Sequence, residues 1–211
     1  EKGLHLIEAF DAEHSRMTAS QAAQRCGMTR TATRRYLLTL VHTGHVTTDG
    51  KLFWLTPRVM RLGQAYLESA RLPRAVQPYL QRVTAGTGEV AYAAVLDHDE
   101  LVYIARSGTQ RHLNTGYMLG SRVQPHLTAA GMAILAALGP GFWEPWLATQ
   151  TLRPFTSHTV LDKPQLHQHL MKAREQGWAI SEQQLEMNYR GVAVPLWDHN
   201  DALLGAMSVT M

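Results

Sequence analysis

From Thr18 to Leu55 the chain sets Arg25, Arg30, Arg34, Arg35 and Lys51 against a single acid, Asp49. Three of the arginines crowd the segment that opens with Thr29, Arg30 and Thr31. At helical spacing Thr31, Arg34 and Arg35 project from one side, with Arg30 flanking them near the helix start. The chemistry open to such a face is recognition rather than turnover. Guanidinium forks donate to guanine edges and phosphate oxygens, and threonines meet thymine methyls or phosphates. The candidate DNA contacts are therefore Thr29, Arg30, Thr31, Arg34, Arg35 and, further on, Lys51. Signatures of catalysis are missing: the chain has no G-x-S-x-G, no P-loop, no H-E-x-x-H and no paired-cysteine motif. His167 and His169 stand two apart, about 200° around a helix, so they cannot readily chelate one metal. His112, His126 and His158 are scattered. No catalytic residue, metal or cofactor is assigned, and the chain is not expected to be an enzyme.

The elements that must hold the basic face follow from local signals. Thr18 is an N-cap ahead of helix formers at 19–25, and Cys26-Gly27 stops that helix. Thr29 caps a second helix running to Thr43, with Gly44 just past its end. On a helical wheel Ala32, Tyr36 and Leu40, flanked by Leu37, share the face expected to pack on the core, and His42 lies with the arginines. Asp49-Gly50 between the β-prone runs 45–48 and 51–55 predicts a two-residue hairpin turn, with Lys51 near its tip. Helix, turn, helix and hairpin together are the sequence form of a winged helix-turn-helix, which predicts binding to double-stranded DNA. Residues 3–10 predict a short amphipathic helix ahead of it, part of a dimer contact. Thr56-Pro57 starts a further helix with Val59, Leu62, Tyr66 and Leu67 down one side, ending near Leu72-Pro73. The expected division is a DNA-binding domain at 1–56, a linker helix at 57–72 and a second domain at 73–211.

Charge supports two modules with different tasks. Residues 1–71 hold ten Lys/Arg and six acids, whereas the remainder holds ten and eleven. A basic head on a near-neutral body fits one nucleic-acid module joined to another. A chain of 211 residues, 45% hydrophobic, has material for two cores. The lone Cys26 excludes an intramolecular disulfide framework and a multi-cysteine zinc site. No apolar run approaches the roughly 20 residues that cross a bilayer, and no signal peptide opens the chain. A soluble, cytoplasmic protein with no membrane partner is expected. A start at Glu1 and an end in a strand-like run mark it as an expected piece of a longer gene product.

Beyond Arg74 the texture changes. A helix at about 74–85 ends at Gly86-Thr87-Gly88. Strands at 90–96 and 101–105 meet at a tight turn, and a third extended segment spans roughly 111–118. Helices are expected at 127–138, about 141–149 and 163–176, the last closed by Gly177. Strands at 178–182, 191–197 and 202–210 follow. Antiparallel strands flanked by helices predict an α+β sensor domain whose sheet opens onto a pocket.

Seven segments in order carry a resemblance across essentially the whole chain. They are K-G-L-H-L-I-E-A-F, the winged motif, L-T-P-R-V-M-R-L-G, T-G-E-V-A-Y-A-A-V-L-D-H-D-E-L-V-Y-I-A-R, T-A-A-G-M-A-I-L-A-A-L, L-R-P-F-T-S-H-T and G-W-A-I-S-E-Q-Q-L-E-M-N-Y-R-G-V-A-V-P-L. The sequence resembles the IclR family of bacterial transcriptional regulators. Its head is most similar to the subgroup controlling aromatic-acid catabolism. The resemblance implies a winged N-terminal domain, a linker helix and a C-terminal domain like GAF and PAS modules. It also implies a homodimer or dimer of dimers on promoter DNA, and a small carboxylate effector, aromatic by subgroup. A regulator answering to a small aliphatic oxo acid, and an architectural DNA-binding protein without ligand, stay open beside it. Family members continue past the final strand into another helix, which this chain lacks.

Carried over from family pockets, the effector positions are Thr128, Ala129, Ala130, Ser181, Gln183, Gly191, Ser208 and Thr210. The family position at Ser181 is acidic, which implies a different contact for the ligand's polar tail. A helix start with free N–H groups suits a carboxylate, and small residues through Gly131 let a ligand approach the backbone. Tyr92, Met118, Leu127 and Met132 are candidates for an apolar wall. Arg106, Arg111 and Arg122 are candidates for pairing with a second carboxylate.

Overall fold

Two stretches, Glu1–Ser69 and Ala70–Met211, each fold on themselves in the computed structural model, which describes residues 1–108 and 117–211. The first comprises α1 (Lys2–Glu8), β1 (Met17–Thr18), α2 (Ala19–Arg25), α3 (Arg30–His42), β2 (Val46–Thr48), β3 (Leu52–Leu55) and α4 (Met60–Ser69). Capping sets its helix starts. The Thr18 hydroxyl accepts from the Gln21 amide at 3.3 Å while the Gln21 side chain accepts from the Thr18 amide at 2.9 Å, a reciprocal capping box. Thr29 caps α3 by accepting from the Ala32 amide at 3.3 Å. Gly27, at φ 61°, makes the turn between α2 and α3.

Three details depart from the sequence reading. The core face of α3 is centred on Thr33 and Leu37, both fully buried, with Ala32, Tyr36 and Leu40 only partly covered beside them. Thr33 escaped notice as a polar residue, but its hydroxyl is satisfied by donating to the Thr29 carbonyl at 3.0 Å, so burial costs little. The hairpin has three residues, Asp49 to Lys51, between its strands. The Asp49 carboxylate accepts from the Lys51 and Leu52 amides at 2.9 and 2.8 Å, replacing the backbone turn with a side-chain one. The unanticipated β1 pairs with β3, giving the order β1-β3-β2.

The helix expected over 57–72 is a short 3-10 turn at Pro57–Val59, then α4, which ends at Ser69. Pro73 accounts for the stop, because its ring would strike the carbonyl four residues earlier in a continuous helix. Ala70 takes an extended conformation instead, and α5 (Arg71–Thr87) begins afresh with Pro73 in its first turn.

The second unit adds β4 (Val90–Asp97), β5 (Glu100–Ser107), β6 (Arg122–Val123), α6 (Ala129–Leu138), α7 (Pro140–Thr149), α8 (Lys163–Gln176), β7 (Ala179–Glu182), β8 (Arg190–Trp197) and β9 (Leu203–Thr210). The extended segment expected near 111–118 lies, apart from Tyr117 and Met118, outside the described residues, as does Arg111. The strands form one antiparallel sheet in the order β6-β5-β4-β9-β8-β7. On one face α5 packs Val76 and Leu80 on Ala91, Ala93, Ile104 and Ala105. On the other, α6, α7 and α8 cover Tyr92, Ala94, Tyr103, Ala193 and Ala206. Both faces of β4 are thus covered, which is why its sequence is apolar without alternation. Helix α6 is buried from Ala129 to Ala136, so it too is apolar all round. Among the described residues no helix is long and apolar enough to cross a membrane.

Candidate functional site

On α3 the burial of Thr33 and Leu37 forces Arg30, Thr31, Arg34 and Arg35 outward, and all four are exposed, as is Lys51 at the hairpin tip. Among the described residues none of the four cations, Arg30, Arg34, Arg35 and Lys51, enters an ion pair. Thr29 is exposed too, with its hydroxyl oxygen engaged in the cap. Arg25 differs from its neighbours: its guanidinium holds Asp11 at 2.6 Å and donates to the Ala9 carbonyl at 2.9 Å, tying α2 to the loop after α1. One basic group was missed. Arg16 lies 4.3 Å from the centre of the Trp54 ring, a cation–π contact that adds a positive charge beside the hairpin. Only the pairing of β1 with β3 brings the two together.

In the second unit a cavity of about 30 Å³ lies where the start of α6 meets the sheet. Leu127, Thr128, Ala129 and Ala130 come from the helix start, Tyr103, Gly191, Ser208 and Thr210 from the sheet, and Ser181 from β7. Tyr117 and the segment Gln184, Leu185, Glu186, Tyr189 and Arg190 close it. Register explains the convergence. Tyr92 pairs with Ser208, Ser208 with Ala193, and Gly191 with Thr210, so alternate residues of adjacent strands present one polar strip. Gly191 gives room there, since an added Cβ would come within 3.2 Å of the Ser181 hydroxyl and 3.3 Å of the Ala129 methyl, and both would have to yield by a few tenths of an ångström.

The helix start is chemically specific. Thr128 accepts from the Gly131 amide through its hydroxyl at 3.1 Å and from the Met132 amide through its carbonyl at 3.0 Å. The first-turn amides of Ala129 and Ala130 have no partner among the described residues, so two donors and the positive end of the helix dipole face the cavity. Opposite them Tyr103 and Tyr117 stack with centroids 4.4 Å apart and rings 7° from parallel. Burial pushes both hydroxyls up, leaving neutral phenols. The closing segment is fastened: Thr156 donates to the Gln183 carbonyl at 2.5 Å, Thr159 to the Gln184 carbonyl at 2.7 Å, and the Gln184 side chain spans the Val160 amide and the His158 carbonyl.

Eight of the expected effector positions converge here: Leu127, Thr128, Ala129, Ala130, Ser181, Gly191, Ser208 and Thr210. Six others lie elsewhere. Tyr92 sits behind the lining, its hydroxyl accepting from the Tyr117 amide at 3.2 Å and its ring 5.1 Å from that of Tyr103. Arg106 extends over Tyr92 toward the Met118 sulfur, and Met118 is exposed. Gln183 turns outward at φ 51° and uses its side chain to accept from the Asn188 amide, which leaves its neighbour Gln184 on the cavity. Met132 lines a different cavity. Arg122 is held by Asp97 and Glu100 beside the β4–β5 turn, at 2.5 and 2.6 Å. Gly131 was expected to admit a ligand, but the space belongs to Pro125, whose carbonyl oxygen would lie 2.1 Å from a Cβ. Tyr103 and Tyr117 were missed, and of the closing loop only Ser181 and Gln183, at its start, were named. No sequence period links them to the helix start.

Comparison with known proteins bears on both regions. Residues 1–50 match the IclR helix-turn-helix domain, and residues 64–211 match the family described as Bacterial transcriptional regulator IclR C-terminal. The chain is 36% identical over 210 residues to the Pca regulon regulatory protein of Pseudomonas putida, covering 99% of this chain and 72% of that one. It is 34% identical over 212 residues to the p-hydroxybenzoate hydroxylase transcriptional activator of Acinetobacter baylyi, covering 98% and 78%. Among solved structures it resembles the inducer-binding domain of an Acinetobacter PobR double mutant in complex with 3-hydroxy benzoic acid. That match has a TM-score of 0.62 and 26% identity, over 67% of this chain and 83% of that one.

Proposed function

The chain belongs to the IclR family of bacterial transcriptional regulators, and from that premise we propose that it binds promoter DNA through α3 and the hairpin and releases or rearranges that contact when an aromatic carboxylic acid enters the cavity at the start of α6. One observation carries the effector half: two unpartnered amides, three hydroxyls and a tyrosine stack converge on one space. The amides of Ala129 and Ala130, with the hydroxyls of Thr128, Ser208 and Thr210, take the carboxylate, and the Tyr103–Tyr117 stack takes the ring. The relatives' names supply the class, since they concern p-hydroxybenzoate and 3-hydroxy benzoic acid.

The cavity's size favours a second reading. At about 30 Å³ it is far below the roughly 300 Å³ of ordinary ligand sites. A small aliphatic oxo acid needs the least rearrangement. An aromatic acid requires the segment from Gln184 to Arg190 to move outward, and such movement is a means of passing the signal on. The DNA half assigns Thr29, Arg30, Thr31, Arg34, Arg35 and Lys51 to the duplex, read by a homodimer through paired heads.

Isothermal titration of the full chain with 4-hydroxybenzoate, 3-hydroxybenzoate, pyruvate and glyoxylate tests the effector half. Binding of a hydroxybenzoate that is weakened in Thr128→Val and in Ser208→Ala supports the reading. Response to the oxo acids alone replaces the aromatic class, and binding indifferent to both substitutions refutes the site. For the DNA half, Arg34→Ala should weaken operator binding and lower the salt dependence by about one phosphate contact, with effector affinity unchanged.

A further inference from the structure

A second cavity, of about 390 Å³, opens between α8, β7 and the flank of α6. It shares only Ser181 and Gln184 with the one at the helix start. Met132, Leu166, Ala173 and Trp178 make its walls apolar. Lys172 brings a cation that enters no ion pair among the described residues. The one carboxylate in the lining, Glu182, is instead held 3.7 Å from Arg190.

His126 belongs to the same lining and is 4% exposed. Neither of its ring nitrogens has a hydrogen-bond partner among the described residues. Buried polar groups are nearly always paired, and one that is not calls for a reason. Packing supplies none: the ring lies 6.2 Å from Trp146, tilted, and the Trp146 indole nitrogen is likewise without a hydrogen-bond partner among the described residues. A neutral imidazole offers one donor and one acceptor, which suits a hydroxyl or carbonyl better than a charge. Burial depresses its pKa to about 4, which keeps the ring in that neutral form.

We propose that the space between α8 and β7 is a second small-molecule site, taking a monocarboxylate with an apolar body and a polar far end. The acid group meets Lys172 at the rim, the body lies along Met132, Leu166 and Trp178, and the far end pairs with His126. Both ring nitrogens are buried, so that pairing turns the ring toward the cavity. Ser181 and Gln184 border both spaces, which makes occupation of one felt at the other. This site stands independently of the effector reading above, because His126, Leu166, Lys172 and Trp178 take no part in lining the cavity at the start of α6.

The probe is 4-hydroxyphenylacetate, titrated into the full chain with ring-labelled histidine and followed by the His126 signals in NMR. The expected result is saturable movement that persists in Thr128→Val and needs about tenfold more probe in Lys172→Ala, a loss of one charge-assisted contact. Lys172 is exposed on α8, so that variant keeps the fold. No movement, movement lost in Thr128→Val, or movement indifferent to Lys172→Ala each overturns the proposal. A co-crystal with the probe seated only at the start of α6 does the same.

Discussion

Acidification gives a sharp test of how His126 is buried. The unfolded chain exposes an imidazole with a pKa near 6.5, whereas burial lowers the folded value to about 4. A depressed histidine pKa means that the unfolded state binds the proton more tightly. The folded state therefore keeps its full stability above the unfolded pKa, loses it as pH falls from there toward about 4, and loses no more below. At about pH 5 nearly all unfolded molecules carry the proton and few folded ones do. The difference amounts to about 2 kcal/mol of lost stability relative to neutral pH. Asp11, Asp49, Asp97 and Asp198 do not intrude on this window. Their carboxyls are held below the ordinary carboxylate value of 3.8 by hydrogen bonds to neighbouring side chains or backbone amides, so they lose stabilisation only at lower pH. The assay is urea unfolding followed by tryptophan fluorescence, since four of the five tryptophans lie in the second unit and Trp146 adjoins His126. Wild type should lose about 2 kcal/mol between about pH 7 and about pH 5. His126→Gln should lose much less over the same interval, whatever its stability at neutral pH. Equal losses would refute the argument, because the titrating group would then lie elsewhere.

Gly131→Ala should destabilise the second unit. The new methyl must open a gap to the Pro125 carbonyl from 2.1 Å to the 3.4 Å of ordinary contact, and such overpacking costs about 1–3 kcal/mol. That exceeds the helix-propensity gain of at most about 1 kcal/mol. Effector affinity should fall with it, because Thr128 lies between the two colliding segments; a thermal melt and a titration read both, and an unchanged melting temperature would contradict the packing argument. Arg122→Ala should cost under about 1 kcal/mol, since its two carboxylate partners are half-exposed. It should leave effector titration unmoved, and a tenfold weakening would return Arg122 to the site.

What neighbouring residues decide was legible in the chain. The Thr18 and Thr29 caps, the Gly27 turn, the limits of α8 and the strand pairs around the two tight turns depend on contacts within a few residues, and each stands close to its expected place. Matters of phase and reach were not legible. The core face of α3 fell on Thr33 rather than Ala32 because a buried hydroxyl satisfied by Thr29 counts as apolar only once the helix has formed. The hairpin gained a residue because the Asp49 carboxylate substitutes for the backbone. Met132 follows Ala129 by three positions, yet it faces the cavity beside α8, because the sheet occupies one side of α6 and α8 another. Tyr103, Tyr117 and Gln184 meet Thr128 only through strand register and loop anchoring, which are long-range contacts with no trace in local pattern. The sequence by itself determined that a basic helix and an amide-rich helix start exist. Only the packing of distant segments, where side-chain volume and hydrogen-bond satisfaction are settled together, decided which side chains stand beside them.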